Sequence, residues 1–269
     1  MSHTVSVVIP CYNHGAYIKD AIASVEQNAG PYPCEIIIID DGSTDKLTLD
    51  VIADLKQKGY TVIQQENQGL AAARNNGIML ATGEYILPLD SDNKIHKNYL
   101  TKAIDILEKD SSIDVVYGKS LFFGDNDGIR EAGLNHVGSF DFARILDCNY
   151  IDACAVYRKT IWEKVGGYDG LMPAMGHEDW EMWIHIFLSG GKFYFIEELC
   201  FYYRIVAGSM LVTDAEKKHQ LNKEYIYNKH SMKIISNLLE DKSKFEMMVK
   251  YLDNYKLRSI AKLLLGYKI

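Results

Sequence analysis

At 269 residues and 48% hydrophobic, the chain can bury a full core without disulfide or metal staples, as one large domain or two modest ones. Its formal net charge of −7 argues against a general nucleic-acid binder, which needs a basic surface to meet the phosphate backbone. The first residues carry no charged-then-apolar leader and no apolar run reaches membrane length, so the expectation is neither classical secretion nor an integral membrane protein.

Val5 to Pro10 is a β-rich run ended by proline, followed by a loop (Cys11 to Gly15) and by Ile18, Ala21, Ile22 and Val25 at helical spacing. Glu35 to Asp40 repeats the pattern more strongly. Its four consecutive isoleucines suit a strand buried on both faces in a parallel sheet. Asp40 to Asp45 turns the chain, with Ser43 as the expected N-cap of a helix carrying Leu47, Val51, Ile52 and Leu55. Thr61 to Ile63 is a third strand, Gly69 to Leu80 an alanine-rich helix, Glu84 to Leu89 a fourth strand, Tyr99 to Leu107 a further helix and Asp114 to Tyr117 a fifth strand. Such alternation predicts an α/β fold with a doubly wound, mainly parallel central sheet flanked by helices.

After residue 118 the rhythm changes. Gly124 to Gly128 is turn chemistry in an irregular or hairpin segment. Ala153 to Tyr157 is a further strand, Ile161 to Val165 a short helix stopped by Gly166-Gly167, and Lys192 to Ile196 a last strand. Trp180, Trp183, Ile184 and Phe187 mark the core-facing side of a helix. His177 and His185 lack the His-Glu-x-x-His pattern of zinc proteases. Cys11, Cys34, Cys148, Cys154 and Cys200 are odd in number and scattered, without Cys-x-x-Cys spacing. They read as reduced thiols of a cytoplasmic protein.

The chemistry concentrates where the apolar run to Leu89 stops and Asp90-Ser91-Asp92-Asn93 begins. Residues two apart on a strand-like segment point the same way, so both carboxylates emerge at the carboxyl edge of the sheet, where open α/β sheets bind ligands. At about 6 Å and an effective dielectric near 20 they repel by roughly 3 kcal/mol, which a divalent cation shared with a diphosphate more than offsets. A polar turn with Asn93 capping the next helix explains the same residues. An EF-hand is excluded by Lys94 and Ile95 at its ligand and glycine places, and a two-aspartate phosphatase motif by Lys94.

Asp40/Asp41 at one strand end and Glu178/Asp179 at a helix start fall where a wound sheet brings them into the same cleft. Gly69 opens a helix and Arg74 lies one turn in, a natural place for an anionic oxygen, although a solvated helix residue accounts for Arg74 equally well. Neither Gly-x-Gly-x-x-Gly nor Gly-Lys-Ser/Thr occurs, so a Rossmann dehydrogenase or P-loop hydrolase has no phosphate cradle.

Taken in order, Val5 to Asn13, Ile36 to Asp45, Asn67 to Asn76, Ala81 to Asp92, Gly166-Gly167-Tyr168-Asp169, Gly176-His177-Glu178-Asp179-Trp180-Glu181 and Tyr203-Arg204 resemble the successive signatures of family-2 inverting glycosyltransferases with the GT-A fold. The resemblance spans about residues 4 to 210. It implies a domain over 1–212, with a nucleotide-binding half to about 118 and an acceptor half beyond it, and a helical extension over 213–269.

It also implies roles. Asp41, beside Asp40, would accept from the base of a nucleotide, expected to be uracil, with Pro10 and Tyr12 lining that pocket. Asp90, with Ser91, would lie near the ribose and diphosphate, and Asp92 would bind Mn²⁺ or Mg²⁺. Asp179 would be the general base toward an acceptor hydroxyl, with Glu178 steering the acceptor or tuning Asp179. The implied partners are a nucleotide-sugar donor and a saccharide or lipid-linked acceptor, in polysaccharide or glycolipid assembly.

One departure matters. Where many relatives read Tyr-Arg-x-His, this chain has Tyr203-Arg204-Ile205-Val206, which puts metal affinity in question; His177 does not match the missing position. A catalytically silent sugar-nucleotide-binding protein is one alternative. A sugar-1-phosphate nucleotidyltransferase is another, but it needs a glycine-rich basic loop that Cys11 to Gly15 does not supply. In the tail, Lys250, Lys256, Arg258, Lys262 and Lys268 against Asp253 interleave with Leu257, Ile260 and Leu263 to Leu265. A helix resting on the inner face of an anionic membrane and a helix packed on the domain or a second subunit both account for that pattern.

Overall fold

The computed structural model describes residues 4–28, 30–125, 133–135, 137–206 and 215–240. Its first half alternates as expected: β1 (Val5–Cys11), α1 (Ile18–Glu26), β2 (Cys34–Asp40), α2 (Lys46–Gln57), β3 (Thr61–Gln64), α3 (Leu70–Leu80), β4 (Tyr85–Pro88), the two-residue β5 (Lys94–Ile95), α4 (Tyr99–Lys109) and β6 (Val115–Gly124). The second half adds β7 (Gly133–Leu134), α5 (Phe142–Asp147), β8 (Val156–Arg158), α6 (Lys159–Val165), α7 (Glu178–Leu188), β9 (Phe193–Ile205) and α8 (Ala215–Glu240). The basic tail beyond Val249 and the turn residues 126–128 lie outside the described residues.

Among the described residues the strands form a single sheet in the order β3-β2-β1-β4-β8-β6-β9-β5, with β7 on β6. β1 pairs in parallel with β2 and β4, and β2 with β3. β8 then inserts antiparallel between β4 and β6, while β6 and β9 run parallel. The sheet is therefore mixed rather than uniformly wound. The physical reason lies in the stretch after β6, where β7 folds back antiparallel on β6. Without a full helical crossover, the chain re-enters the sheet from the carboxyl edge of the parallel strands, and β8 runs opposite to them.

Both faces of the sheet are covered, so its central strands are apolar on both sides. Val5, Val7 and Ile9 of β1 pack with α1, α2 and α4, while Val8, Ile37 and Ile39 pack with α3 and with a second layer built on α5, α6, α7 and α8. Gly77 lets α3 settle on the sheet, since a β-carbon there would lie 2.4 Å from Val8 Cγ1. Helix α7 is enclosed on nearly every side: Trp180, Met182, Trp183, Ile184 and Ile186 are all fully buried. Its tryptophans donate to the Ile145 and Ile151 carbonyls at 2.5 and 3.0 Å.

Two local expectations need correction. Asp45, not Ser43, caps α2, its carboxylate accepting from Thr48 N at 2.8 Å; Ser43 Oγ instead accepts from Asn13 N. Leu47, grouped by spacing with Val51, Ile52 and Leu55, is 55% exposed: it lies in the first turn of the helix, where Thr48 is the buried residue. All five cysteines are free thiols. Among the described residues no helix is long and apolar enough to cross a membrane.

Candidate active site

The carboxyl ends of β1, β2 and β4 open onto one edge. At the β1/β2 end, Asp41 N donates to the Cys11 carbonyl at 2.9 Å. The Asp40 carboxylate accepts from Ser43 N and Gln64 Nε2, at 3.0 and 2.8 Å. Asp41 accepts from Gln65 Nε2, Gln68 N and Gly69 N at 2.7–2.9 Å, so it fastens the loop that turns into α3. Gly69 holds that turn at φ 86°, a conformation open to glycine at little cost. Pro10 is buried, whereas Tyr12 is 46% exposed.

The β4 end carries the Asp90 to Asn93 loop. Arg204 of β9 locks it, donating from Nε to the Asp92 carbonyl at 2.9 Å and from its backbone N to Asn93 Oδ1 at 2.8 Å. The Ser91 hydroxyl meets His14 Nδ1 at 3.2 Å. Burial and the neighbouring Asp90 carboxylate push Asp92 up to about 6, against His14 and Arg204, which pull it down.

Arg74 does not offer itself to an external anion as the sequence suggested. It is 1% exposed and both terminal nitrogens are taken, one by Asp90 Oδ1 at 2.6 Å and one by Glu178 Oε1 at 2.5 Å. The guanidinium thus spans from the β4 loop to the first residue of α7. Helix α3 places it there because it starts at the Asp41-fastened loop and lies flat on β1 and β2.

At the start of α7, Glu178 Oε2 accepts from Gly176 N at 3.0 Å. Asp179 Oδ1 accepts from Asn149 Nδ2 at 3.1 Å and from Trp180 N at 2.9 Å. Burial, then repulsion from Glu178, pushes the Asp179 carboxyl up to about 8, with Arg74 opposing. Asp152 is pushed up to about 7 by burial and then by Asp90. His177 precedes α7 but turns its Nδ1 to Asn222 of α8 at 3.2 Å.

Asn149, Asp152 and His14 belong to this cluster although their sequence surroundings gave little signal. In a parallel sheet the site carboxylates follow the strands. Because β8 is antiparallel, the residues before it reach the same edge, and Tyr150-Ile151-Asp152 just ahead of an apolar run is the only trace of this in the sequence.

The donor set decides what fits beside Asp92. Asp90 and Asp92 offer hard carboxylate oxygens, and the Asp90 charge is one of the causes that raise the proton affinity of Asp92, a crowding that an oxygen-preferring divalent cation would relieve. These two carboxylates could hold a hard divalent cation such as Mn²⁺ or Mg²⁺.

The family described as "Glycosyl transferase family 2" matches residues 6–166. Glycosyltransferase GlyG of Streptococcus pneumoniae serotype 4 is 39% identical over 131 residues, 48% of this chain and 42% of its own length. The chain thus spans less than half of that curated relative. Poly(ribitol-phosphate) beta-N-acetylglucosaminyltransferase TarP of Staphylococcus aureus is 28% identical across 93% of this chain and 86% of its own. The crystal structure of S. aureus TarS 1-349 in complex with UDP-GlcNAc matches with a TM-score of 0.70 at 21% identity, covering 93% of this chain and 71% of that one. That likeness is one of fold, the mixed sheet with flanking helices of the GT-A type. With the family match running through β1, β2, β4 and the Asp90 to Asp92 loop, the chain belongs to glycosyl transferase family 2.

Proposed function

We propose that the chain moves a sugar, with inversion, from a nucleotide-diphosphate donor, a UDP-sugar, to a hydroxyl of a saccharide or lipid-linked acceptor in polysaccharide or glycolipid assembly. The observation that carries this reading is the buried Asp90–Arg74–Glu178 bridge. It holds donor-side aspartates and the helix bearing Asp179 in a fixed relation, as an in-line displacement requires. The names of TarP, which acts on poly(ribitol-phosphate), and of TarS bound to UDP-GlcNAc support the donor and acceptor classes.

In this mechanism Pro10, Tyr12, Asp40, Asp41 and Gly69 frame the nucleoside, with the exposed Tyr12 ring free to meet a base. Asp90 and Ser91 border the ribose and diphosphate. Asp92 would hold Mn²⁺ or Mg²⁺, which when bound neutralises charge on the departing nucleoside diphosphate. Asp179 takes the proton from the acceptor hydroxyl, whose oxygen attacks the anomeric carbon from the face opposite the leaving group. A carboxyl with raised proton affinity is a stronger base than an ordinary one, and Asn149 fixes its orientation. Glu178, neutralised by Arg74, holds the turn into α7 and steers the acceptor. The division into a donor half to about residue 118 and an acceptor half over 119–212 belongs to the same proposal.

A panel of UDP-, GDP- and dTDP-sugars with Mn²⁺, scored for slow donor hydrolysis and for transfer to oligosaccharide acceptors, tests it. UDP-sugar turnover with an inverted product anomer is expected. Intact UDP binding with no turnover of any donor overturns the enzyme reading.

A further inference from the structure

One turn along α7 from Glu178 lies a polar group that sugar transfer does not use. Glu181 is fully buried, and α8 brings His230, itself buried, against it. His185, a turn further along α7, completes a trio whose ligating atoms all lie within 4.8 Å of one another. His230 Nε2 stands 2.6 Å from Glu181 Oε1 and His185 Nδ1 4.0 Å from the same oxygen. The two imidazole rings are 4.8 Å apart.

The other carboxylate oxygen, Glu181 Oε2, is buried without a hydrogen-bond partner. Interior carboxylate oxygens are rarely left so, because desolvation without compensation is costly. Lys229 also reaches Glu181 Oε1, at 2.8 Å, but it pairs with Asp169 at 2.6 Å and is 32% exposed. It can keep Asp169 and release Glu181.

We propose that Glu181, His185 and His230 bind a Zn²⁺ ion that pins α8 to α7, with water as fourth ligand. Two imidazoles and one carboxylate form a borderline donor set that suits zinc, whereas Mg²⁺ and Ca²⁺ want oxygen throughout. Zinc ligands at ~2.1 Å sit roughly 3.4 Å apart in a tetrahedron, a spacing close to that of the three groups here, which lie within 4.8 Å of one another. The ion would replace the direct His230 contact to Oε1 and bind the Glu181 carboxylate, whose Oε2 has no hydrogen-bond partner. This site is separate from the Asp92 loop in residues and in preferred metal.

The full chain, stripped by chelator, is equilibrated with Zn²⁺, desalted, and its metal measured by mass spectrometry. Wild type and Asp92→Ala should each retain one zinc per chain, and the His185→Ala/His230→Ala variant essentially none. Zinc should raise the melting temperature of wild type but not of that variant. Because losing His230 also loosens α8, His185, which is 19% exposed, is tested alone. His185→Gln should lower zinc affinity by roughly tenfold or more, since even outer-sphere partners carry that much, while the zinc-free melting temperature stays put. Co²⁺ loaded in place of zinc should show the visible absorption of four-coordinate cobalt. No zinc on wild type, retention by the double variant, or loss from Asp92→Ala overturns the site.

Discussion

Arg74 is the buried cation against which Asp90 and Glu178 are set, and it cannot be exchanged for a point charge. Removing one partner of a buried ion pair costs ~3–5 kcal/mol, because the charges left behind are neither paired nor solvated. Arg74→Met should therefore lower stability by that order in urea titration. Arg74→Lys should recover only part of it, since one ammonium lacks the fork that serves two carboxylates. Asp179→Asn asks about chemistry alone: turnover should fall by at least roughly 100-fold while UDP affinity by calorimetry stays near wild type. Near-normal turnover would remove Asp179 as base. Asp152 gives a pH test. Its proton affinity is raised to about 7, by burial first, so the folded state keeps a proton that the unfolded chain releases near pH 4. Its stabilising share is complete below pH 4 and is lost as pH rises to about 7. Asp152→Asn should thus raise the melting temperature at pH 8 and make little difference at pH 4. A gain of equal size at both would mean that ionisation is not the cause.

Helices and strands explain which of these residues could be read in advance. Asp90, Asp92, Glu178 and Asp179 stand where an apolar pattern changes, so their placement was visible, as was the helix that carries the tryptophans. Asn149 and Asp152 were not, because strand direction is set by the fold-back after β6 and not by local periodicity. The true cap of α2 was hidden for a related reason: Ser43 and Asp45 are both good capping residues, and only the left-handed Asn13 (φ 55°), whose side chain accepts from Thr44 N and Asp45 N, decides between them. Arg74 looked like an anion site because nothing in the sequence shows that Glu178, more than a hundred residues away, arrives beside it. The glycine in α3 was unremarked in the helical pattern, yet it sets the distance between helix and sheet. Gly77→Ala gains helix propensity of up to ~1 kcal/mol but forces Val8 and Ile39 to move. Overpacking of this kind costs ~1–3 kcal/mol, so a net fall in melting temperature is expected, and a rise would show that α3 can lift without loss.

For the molecule as a whole, the α/β class and the carboxyl-edge position of the site follow from alternating strands and helices, while the mixed order of the sheet does not. The site is assembled from β4, α3, α7 and the approach to β8, so donor binding should report on all of them together. Asp92→Ala should weaken Mn²⁺-supported binding of UDP far more than binding of uridine, whereas Asp41→Ala should impair both, because the Asp41 carboxylate fastens the loop that turns into α3. Calorimetry with the two ligands decides it, and equal losses in the Asp92 variant would withdraw that residue from the metal.

Strand β8 is only three residues long. It meets β4 through Tyr85 and Ile86 and meets β6 through Val115 and Val116. Mechanically this is a seam. The four strands β3, β2, β1 and β4 lie on one side, and the long β6–β9 ribbon on the other. Shear between them is resisted at the seam by few backbone hydrogen bonds. Above the seam the guanidinium of Arg74 joins a loop of the first plate to a helix packed on the second, as a clasp joins two leaves of a book. A slide of one leaf along the other would change the distance that this clasp spans, so the Asp90–Arg74–Glu178 bridge ties the register of the leaves to the position of α7.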